Sequence, residues 1–438
     1  MKLGKLSLVA VMALGTSAFA IDNVKVNGEA KLWYQTSEYS GLGAGATTSQ
    51  DFFDNTSNSM ADVKLSIGAT ADLAQSLSAG IKVTALSTLG LENNLVGATP
   101  AAKRGIDGVD HQTTGDMTSL DDQSWTEELY LAYTAGKTTV KIGRQALNTP
   151  LAFTETWNVV DNTFEAAVLL NNDLPDTTLV AAWVGKHNGV GVLNSGRGST
   201  VAYNGKFGDF AVNGAYAAGA VNKSIPDTAI QAWYYSVDDV ATAYWLQADA
   251  KLMGMVNLGV QYSGMNPDDT SLTLGTAAAN HRDTDMFAVK GAVDVAGVNV
   301  YAAYSTVSDG SIGFANVATG DKSSMYTTLG SIYMDGEIVA APDTDAWKVG
   351  ASTKMIPGVT LSASYCEAET GNNGGTATTV GGASTLNTDF SAWDVVAATK
   401  VGPVDLTAIY TQFDKDVKAD DLTDKTTDTL RIIASLKF

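Results

Sequence analysis

The sequence predicts an all-β protein, a transmembrane antiparallel β-barrel. Eighteen strands fit best, with 16 or 20 also open. Three observations carry this reading. First, apolar and polar residues alternate with period two in pieces of roughly ten residues. Val63-Leu65-Ile67-Ala69, Val256-Leu258-Val260-Tyr262 and Val359-Leu361-Ala363-Tyr365 are examples. Second, no apolar run beyond the N-terminus approaches the length of a membrane-crossing helix, and helical periodicity is missing. Mean hydropathy is +0.01, as expected when each strand shows one face to lipid and one to water. Third, the chain ends in an alternating strand: Leu430, Ile432, Ala434, Leu436 and Phe438 on one face, Arg431, Ser435 and Lys437 on the other.

In chain order, residues 1–20 read as a cleaved export signal. Lys2 and Lys5 form the basic head, Leu6 opens a short apolar stretch, and Ala18-Phe19-Ala20 fits a small-x-small cleavage site. Residues 21–438 are then one barrel domain. Strands are expected near 24–36, 59–72, 77–90, 124–135, 137–145, 163–171, 177–186, 209–219 and 228–236. They continue near 241–251, 255–264, 284–294, 296–306, 343–354, 358–368, 389–400, 403–413 and 426–438. Residues 198–207 and 325–334 also alternate, which is what leaves 20 strands open. Connections are short on one side (135–136, 296–297, 402–403) and long on the other (37–58, 91–123, 307–342). Barrels of this class have tight periplasmic turns and longer outer loops. Tyr133, Trp183, Trp245, Tyr262, Tyr304, Trp347, Tyr365 and Tyr410 fall near strand ends, where amphipathic rings suit the headgroup level.

One connection stands apart. Residues 146–162 separate two alternating runs, hold Pro150, Phe153 and Trp157, and read as a loop folded into the lumen. From 145 to 172 there is no Lys or Arg, while Glu155, Asp161 and Glu165 are acids; Arg144 sits at the loop's edge, placed to pair with one of them. A narrow passage magnifies fixed charge, so these four residues are the candidate constriction, and it should prefer cations. The competing role for the acids is to pin the loop through hydrogen bonds.

Parity assigns the wall. If Val63, Ile81, Phe287, Val349 and Ile432 face lipid, then Lys64, Lys82, Lys290, Lys348 and Arg431 face inward, with Lys141, Glu128, Glu165, Asp249 and Asp294. A charge on the lipid face near mid-depth costs about 2–4 kcal/mol, which forces the inward assignment. His111, His187 and His281 are far apart in predicted loops, and no nucleophile, zinc or phosphate-loop motif is present, so the residues show no catalytic site. Cys366 is the single cysteine, so no internal disulfide is possible. A formal charge of −20 argues against a nucleic-acid partner. Acid-rich loops such as 107–122 and 414–424 suit Ca²⁺ by ligand type but lack Ca²⁺-loop spacing, so metal ligands stay unassigned.

The terminal strand ending in Phe438 resembles the recognition strand that outer-membrane proteins present to the barrel assembly machinery. GRQALNTPL (143–151), NTFEAAVLLNNDLPDTTLVAAWVGKHNG (162–189) and WYYSVDDVATAYWLQAD (233–249) together resemble the major outer-membrane porin family of epsilonproteobacteria (the Campylobacter type), and more distantly OprD-type porins. The resemblance implies an eighteen-stranded, usually trimeric barrel in the bacterial outer membrane, without an enzymatic activity. The loop after the fifth strand would constrict it, ions and small hydrophilic solutes would diffuse through, and Ca²⁺ is associated with some members. The main alternative is a substrate-specific OprD-like channel for small carboxylates or amino acids. Another is a surface adhesin or structural envelope protein with a plugged barrel.

Overall fold

The structure is a computed structural model. It describes residues 21–40, 51–53, 59–91, 122–189, 201–211, 213–269, 281–329, 336–371, 379–380, 383–384, 388–418 and 425–438. The expected export signal at 1–20, His111 and most of the acid-rich loop at 107–122 lie outside these.

Eighteen strands cross the wall, each paired antiparallel with its neighbours in chain order. They are β1 (Asp22–Ser40), β2 (Ser59–Ala74), β3 (Leu77–Ser87), β4 (Gln123–Ala135), β5 (Thr138–Gln145) and β6 (Phe164–Asn171). Next come β7 (Thr177–His187), β8 (Ala215–Asn222), β9 (Thr228–Val237), β10 (Ala241–Leu252), β11 (Val256–Pro267) and β12 (Thr284–Val295). The last are β13 (Val298–Val307), β14 (Thr344–Thr353), β15 (Val359–Thr370), β16 (Thr388–Val401), β17 (Val404–Val417) and β18 (Lys425–Lys437). β1 pairs with β2 on one side and with β18 on the other, so the sheet closes and leaves no edge. Closure matters because hydrocarbon offers no hydrogen bond to a bare strand edge. Phe438 completes the seam: Gly28 N donates to its carbonyl at 2.7 Å and Phe438 N donates to Gly28 O at 3.0 Å.

Short turns join the strands at the end that also holds both seam termini. Ala296 and Gly297 both adopt positive φ (50° and 84°). A two-residue turn of that hand matches the twist of the strands it links. Exposed apolar side chains alternate along the outer face, as with Leu65 and Ile67, Leu129 and Leu131, and Leu258 and Val260. Their inward neighbours Lys64, Ser66 and Gln261 are buried.

Two elements and one side chain differ from the sequence reading. The eighth strand lies six residues later than expected at its start (215, not 209), because 203–205 form a 3-10 turn and Gly208–Asp209 is only a two-residue pairing against β7. Neither 198–207 nor 325–334 adds a crossing strand among the described residues. The 307–342 connection does not stay outside. Its Phe314, Met325, Leu329, Ile338 and Val339 are 0–2% exposed and pack against inward residues of β9–β17, and its Ala318, 0% exposed, packs against those of β6 and β7. Trp245, expected at the membrane surface, is 0% exposed inside that core. The barrel therefore has an apolar core in its outer half, built between loops and wall.

Ile67, 43% exposed at the middle of β2, tests the lipid-facing assignment. Ile67→Arg should lower folding stability in lipid by about 2–4 kcal/mol, read from urea titration in vesicles. A change near zero would mean that this face does not meet hydrocarbon.

Candidate functional site

The loop at 146–163 starts from a backbone that only glycine accepts. Gly143 has φ +125°, and a Cβ there would strike the carbonyl oxygen of Leu129. The chain then makes a small hairpin, with Asn148 bridged to Phe153. The Thr149-Pro150 pair turns it: Thr149 N donates to Ala152 O at 3.1 Å, and the Thr149 hydroxyl donates to the same oxygen at 2.8 Å. Asn162 fastens the return leg, accepting from Glu155 N at 2.7 Å and donating to Phe153 O at 3.2 Å.

This loop crosses the barrel. Lys31 of β1 donates to Asn158 O at 3.2 Å. The Arg431 guanidinium of β18 lies 5.4 Å from the Trp157 ring centroid and 4.7 Å from that of Trp33. The second inward connection, 308–343, meets it in the lumen. Val317 N donates to Leu151 O at 2.9 Å, the Ser324 hydroxyl donates to Pro150 O at 2.8 Å, and Asn316 Nδ2 donates to Phe153 O at 2.9 Å.

Glu155 ties the two together. It is 2% exposed. Its Oε2 accepts from Trp157 Nε1 at 2.7 Å; its Oε1 accepts from Asn316 Nδ2 at 2.8 Å, from Lys322 N at 3.2 Å and from the Thr319 hydroxyl. Glu155 is thus not the water-facing pore acid expected from sequence. Four donors enclose its carboxylate, and the pinning role is the one that the geometry supports.

The remaining expected site residues fall into pairs. Arg144 Nε donates to Glu165 Oε1 at 2.9 Å, and its Nη1 donates to Thr126 O at 3.0 Å. Lys82 lies 2.6 Å from Glu127 Oε1 and 3.7 Å from Asp161 Oδ2. Asp161 Oδ1 accepts no hydrogen bond. Lys64 pairs with Glu29, which also accepts from the Ser435 hydroxyl at 2.8 Å. Lys290 pairs with Asp249 at 2.7 Å. Lys141 sits 3.7 Å over the Tyr130 ring centroid. Lys348 donates to Thr328 O of the second loop. Asp294 lies near the short-turn end, accepting from Asn299 at 2.8 Å. All face inward as parity requires, but Lys64 (0% exposed) and Arg431 (2%) are buried and engaged with wall and loop. They do not line open water as the sequence reading expected.

Glu127 is the wall acid that the sequence reading missed. In β4, odd positions point inward up to Glu127 and even ones from Glu128 on, because a bulge opposite Lys82–Val83 inserts one residue. Two adjacent acids interrupting the alternation were the available signal. The second loop had a signal too: the apolar pieces IGFANVA (312–318) and IVAA (338–341) are unusual in an exposed connection. Among the described residues no group of three or more His, Cys, Asp or Glu is placed to hold a metal ion.

The family model described as Campylobacter major outer membrane protein matches residues 1–437. The chain belongs to that family. It is an outer-membrane porin. No curated protein matches it. Solved structures share the fold at low identity. Pseudomonas aeruginosa OccK8 (OprE) superposes with a TM-score of 0.67 at 14% identity, over 95% of this chain and 98% of that one. P. aeruginosa OpdK with vanillate gives 0.67 at 15%, over 96% and 100%. Acinetobacter baumannii OccAB2 gives 0.64 at 16%, over 96% and 100%. The porin's eighteen strands are those of the shared fold.

Burial holds the Glu155 carboxyl above the usual carboxylate value of 4.5, outweighing the donors from Thr319, Asn316 and Trp157. The docked loops therefore bind this proton more tightly than released ones. That contribution to docking is fully present below 4.5 and is lost as pH rises through the raised value. Protection of Lys322 from trypsin should accordingly increase as pH falls from neutral, and Glu155→Gln should flatten that dependence. Glu155→Ala leaves four donors without their acceptor and should weaken docking by roughly 3 kcal/mol, seen as faster cleavage at Lys322 in an intact barrel.

Proposed function

We propose that the porin passes ions and small hydrophilic solutes by passive diffusion, with its lumen narrowed by two loops that fold in together. The observation supporting this is the set of hydrogen bonds between 146–163 and 308–343 inside a closed barrel. Loops held this way leave a fixed passage, and no moving part is needed for solutes to cross.

The passage prefers cations weakly. Wall lysines and arginines are largely matched by the acids that they touch, so the wall is a set of pairs and not a single-sign ladder. Asp161 differs: it shares Lys82 with Glu127, and Glu128 stands opposite Lys82 in register. Lys82 alone is in ion-pair contact with Glu127 and Asp161, while Lys31 acts on Asp161 and Lys141 on Glu128 from farther away, so the carboxylates there are only partly matched. In a confined passage the unmatched charge raises cation concentration locally. The Phe438 terminus fits recognition by the assembly machinery, and the porin assembles as a trimer as its family resemblance implies.

Reversal potentials in a KCl gradient test this reading. The porin should be cation-preferring, Asp161→Asn should move the potential toward the anion side, and Glu155→Gln should move it little. Anion preference in the unmodified porin, or a larger shift for Glu155→Gln than for Asp161→Asn, would contradict it.

A further inference from the structure

We propose that the inner wall around Asp249 and Lys290 forms a subsite for small zwitterionic solutes; this rests on the reading of the protein as a conducting porin. The subsite lies away from the loop crossing, in the part of the wall nearest the short turns. Lys290 Nζ is 2.7 Å from Asp249 Oδ1 and 4.1 Å from the Tyr326 ring centroid. The Tyr326 hydroxyl donates to the same Oδ1 at 2.9 Å, and Gln247 Nε2 donates to Oδ2 at 2.6 Å. The second loop thus reaches down and adds a phenol to a charged pair on β10 and β12.

Gly259 of β11 makes room for the cluster. A Cβ there would lie 2.6 Å from Tyr326 Oη, 2.7 Å from Lys290 Cε and 2.8 Å from Asp249 Oδ1. Both charged side chains keep access to water, at 36% exposure for Lys290 and 30% for Asp249. Beside them opens a cavity of about 460 Å³, whose charged and amide lining is Lys223, Asp227, Asp249, Lys251, Asn257 and Lys290. A volume of that order suits a small organic solute.

The lining selects by charge pattern. A simple anion would meet Asp227 and Asp249, and a simple cation would meet three lysines. A zwitterion matches both signs. Its ammonium group takes the Asp249 carboxylate and its carboxylate takes the Lys290 ammonium, so one ion pair becomes two charge-assisted contacts with no charge left unpaired. Tyr326 holds the Asp249 carboxylate in place while this exchange occurs.

Single-channel current block tests the subsite, with alanine as the zwitterion, acetate as the anion and ethylammonium as the cation. Alanine should block saturably from the short-turn side, while acetate and ethylammonium at equal concentration should not. Asp249→Asn and Lys290→Gln should each weaken alanine block about tenfold or more. The exchanged pair Asp249→Lys with Lys290→Asp should retain block, since the zwitterion can bind reversed. The proposal is overturned if alanine does not block, if block survives unchanged in both single variants, or if acetate blocks as strongly as alanine. A purified protein that passes no current would instead overturn the porin reading.

Discussion

The arrangement of the two loops inside the barrel depends on the hydrogen bonds that converge on the Glu155 carboxylate. A closed barrel of this size has no interior of its own, because its strands turn their apolar side chains toward lipid. Whatever fills the lumen must be held there by interactions that outweigh the entropy of ordering long connections. Here an apolar layer does part of this, with Phe314, Met325, Ile338 and Val339 packed against Trp245, Met286 and Phe390. The polar part is shared between bonds to the backbone of 150–153 and one buried acid, Glu155. Donors from Trp157 on its own loop and from Asn316, Thr319 and Lys322 on the other meet there, so neither loop is placed independently of its partner.

The same economy governs the wall. A charge facing inward near mid-depth cannot lie flat against lipid, and one left alone under a loop would be expensive. The structure answers with local pairs: Lys64 with Glu29, Lys82 with Glu127, Arg144 with Glu165, Lys290 with Asp249. Two aromatic rings take up Arg431. Net charge of the chain is therefore a poor guide to the field inside. What solutes meet is set by the few places where pairing is incomplete or water-accessible, and these lie at Asp161 and around Asp249.

Most of the wall was legible in the sequence, since period-two alternation reports directly which face meets lipid. The inward direction of Lys64, Lys82, Lys290 and Arg431 followed from that alone. The loop at 146–162 was visible through its turn residues Thr149-Pro150 and its lack of cations. Burial within the lumen was not visible, because parity separates inside from outside but not open water from a covered core. That is why Glu155 read as a pore acid, Trp245 as a surface ring and Arg431 as a lining residue. The bulge at Glu127 shifted parity by one, and the partnership of 308–343 with 146–163 links residues some 160 positions apart, as with Glu155 and Asn316 (161). No local pattern announces such a pairing.

Excising the second loop tests the central claim most directly. Asp343 N donates to Ser308 O at 3.0 Å, so the two ends of the loop already lie together and a short turn can join them. If both loops narrow the lumen as one unit, the shortened porin will form a closed barrel with a markedly larger single-channel conductance and will admit larger uncharged polymers. An unchanged conductance in a folded, shortened porin would contradict the account.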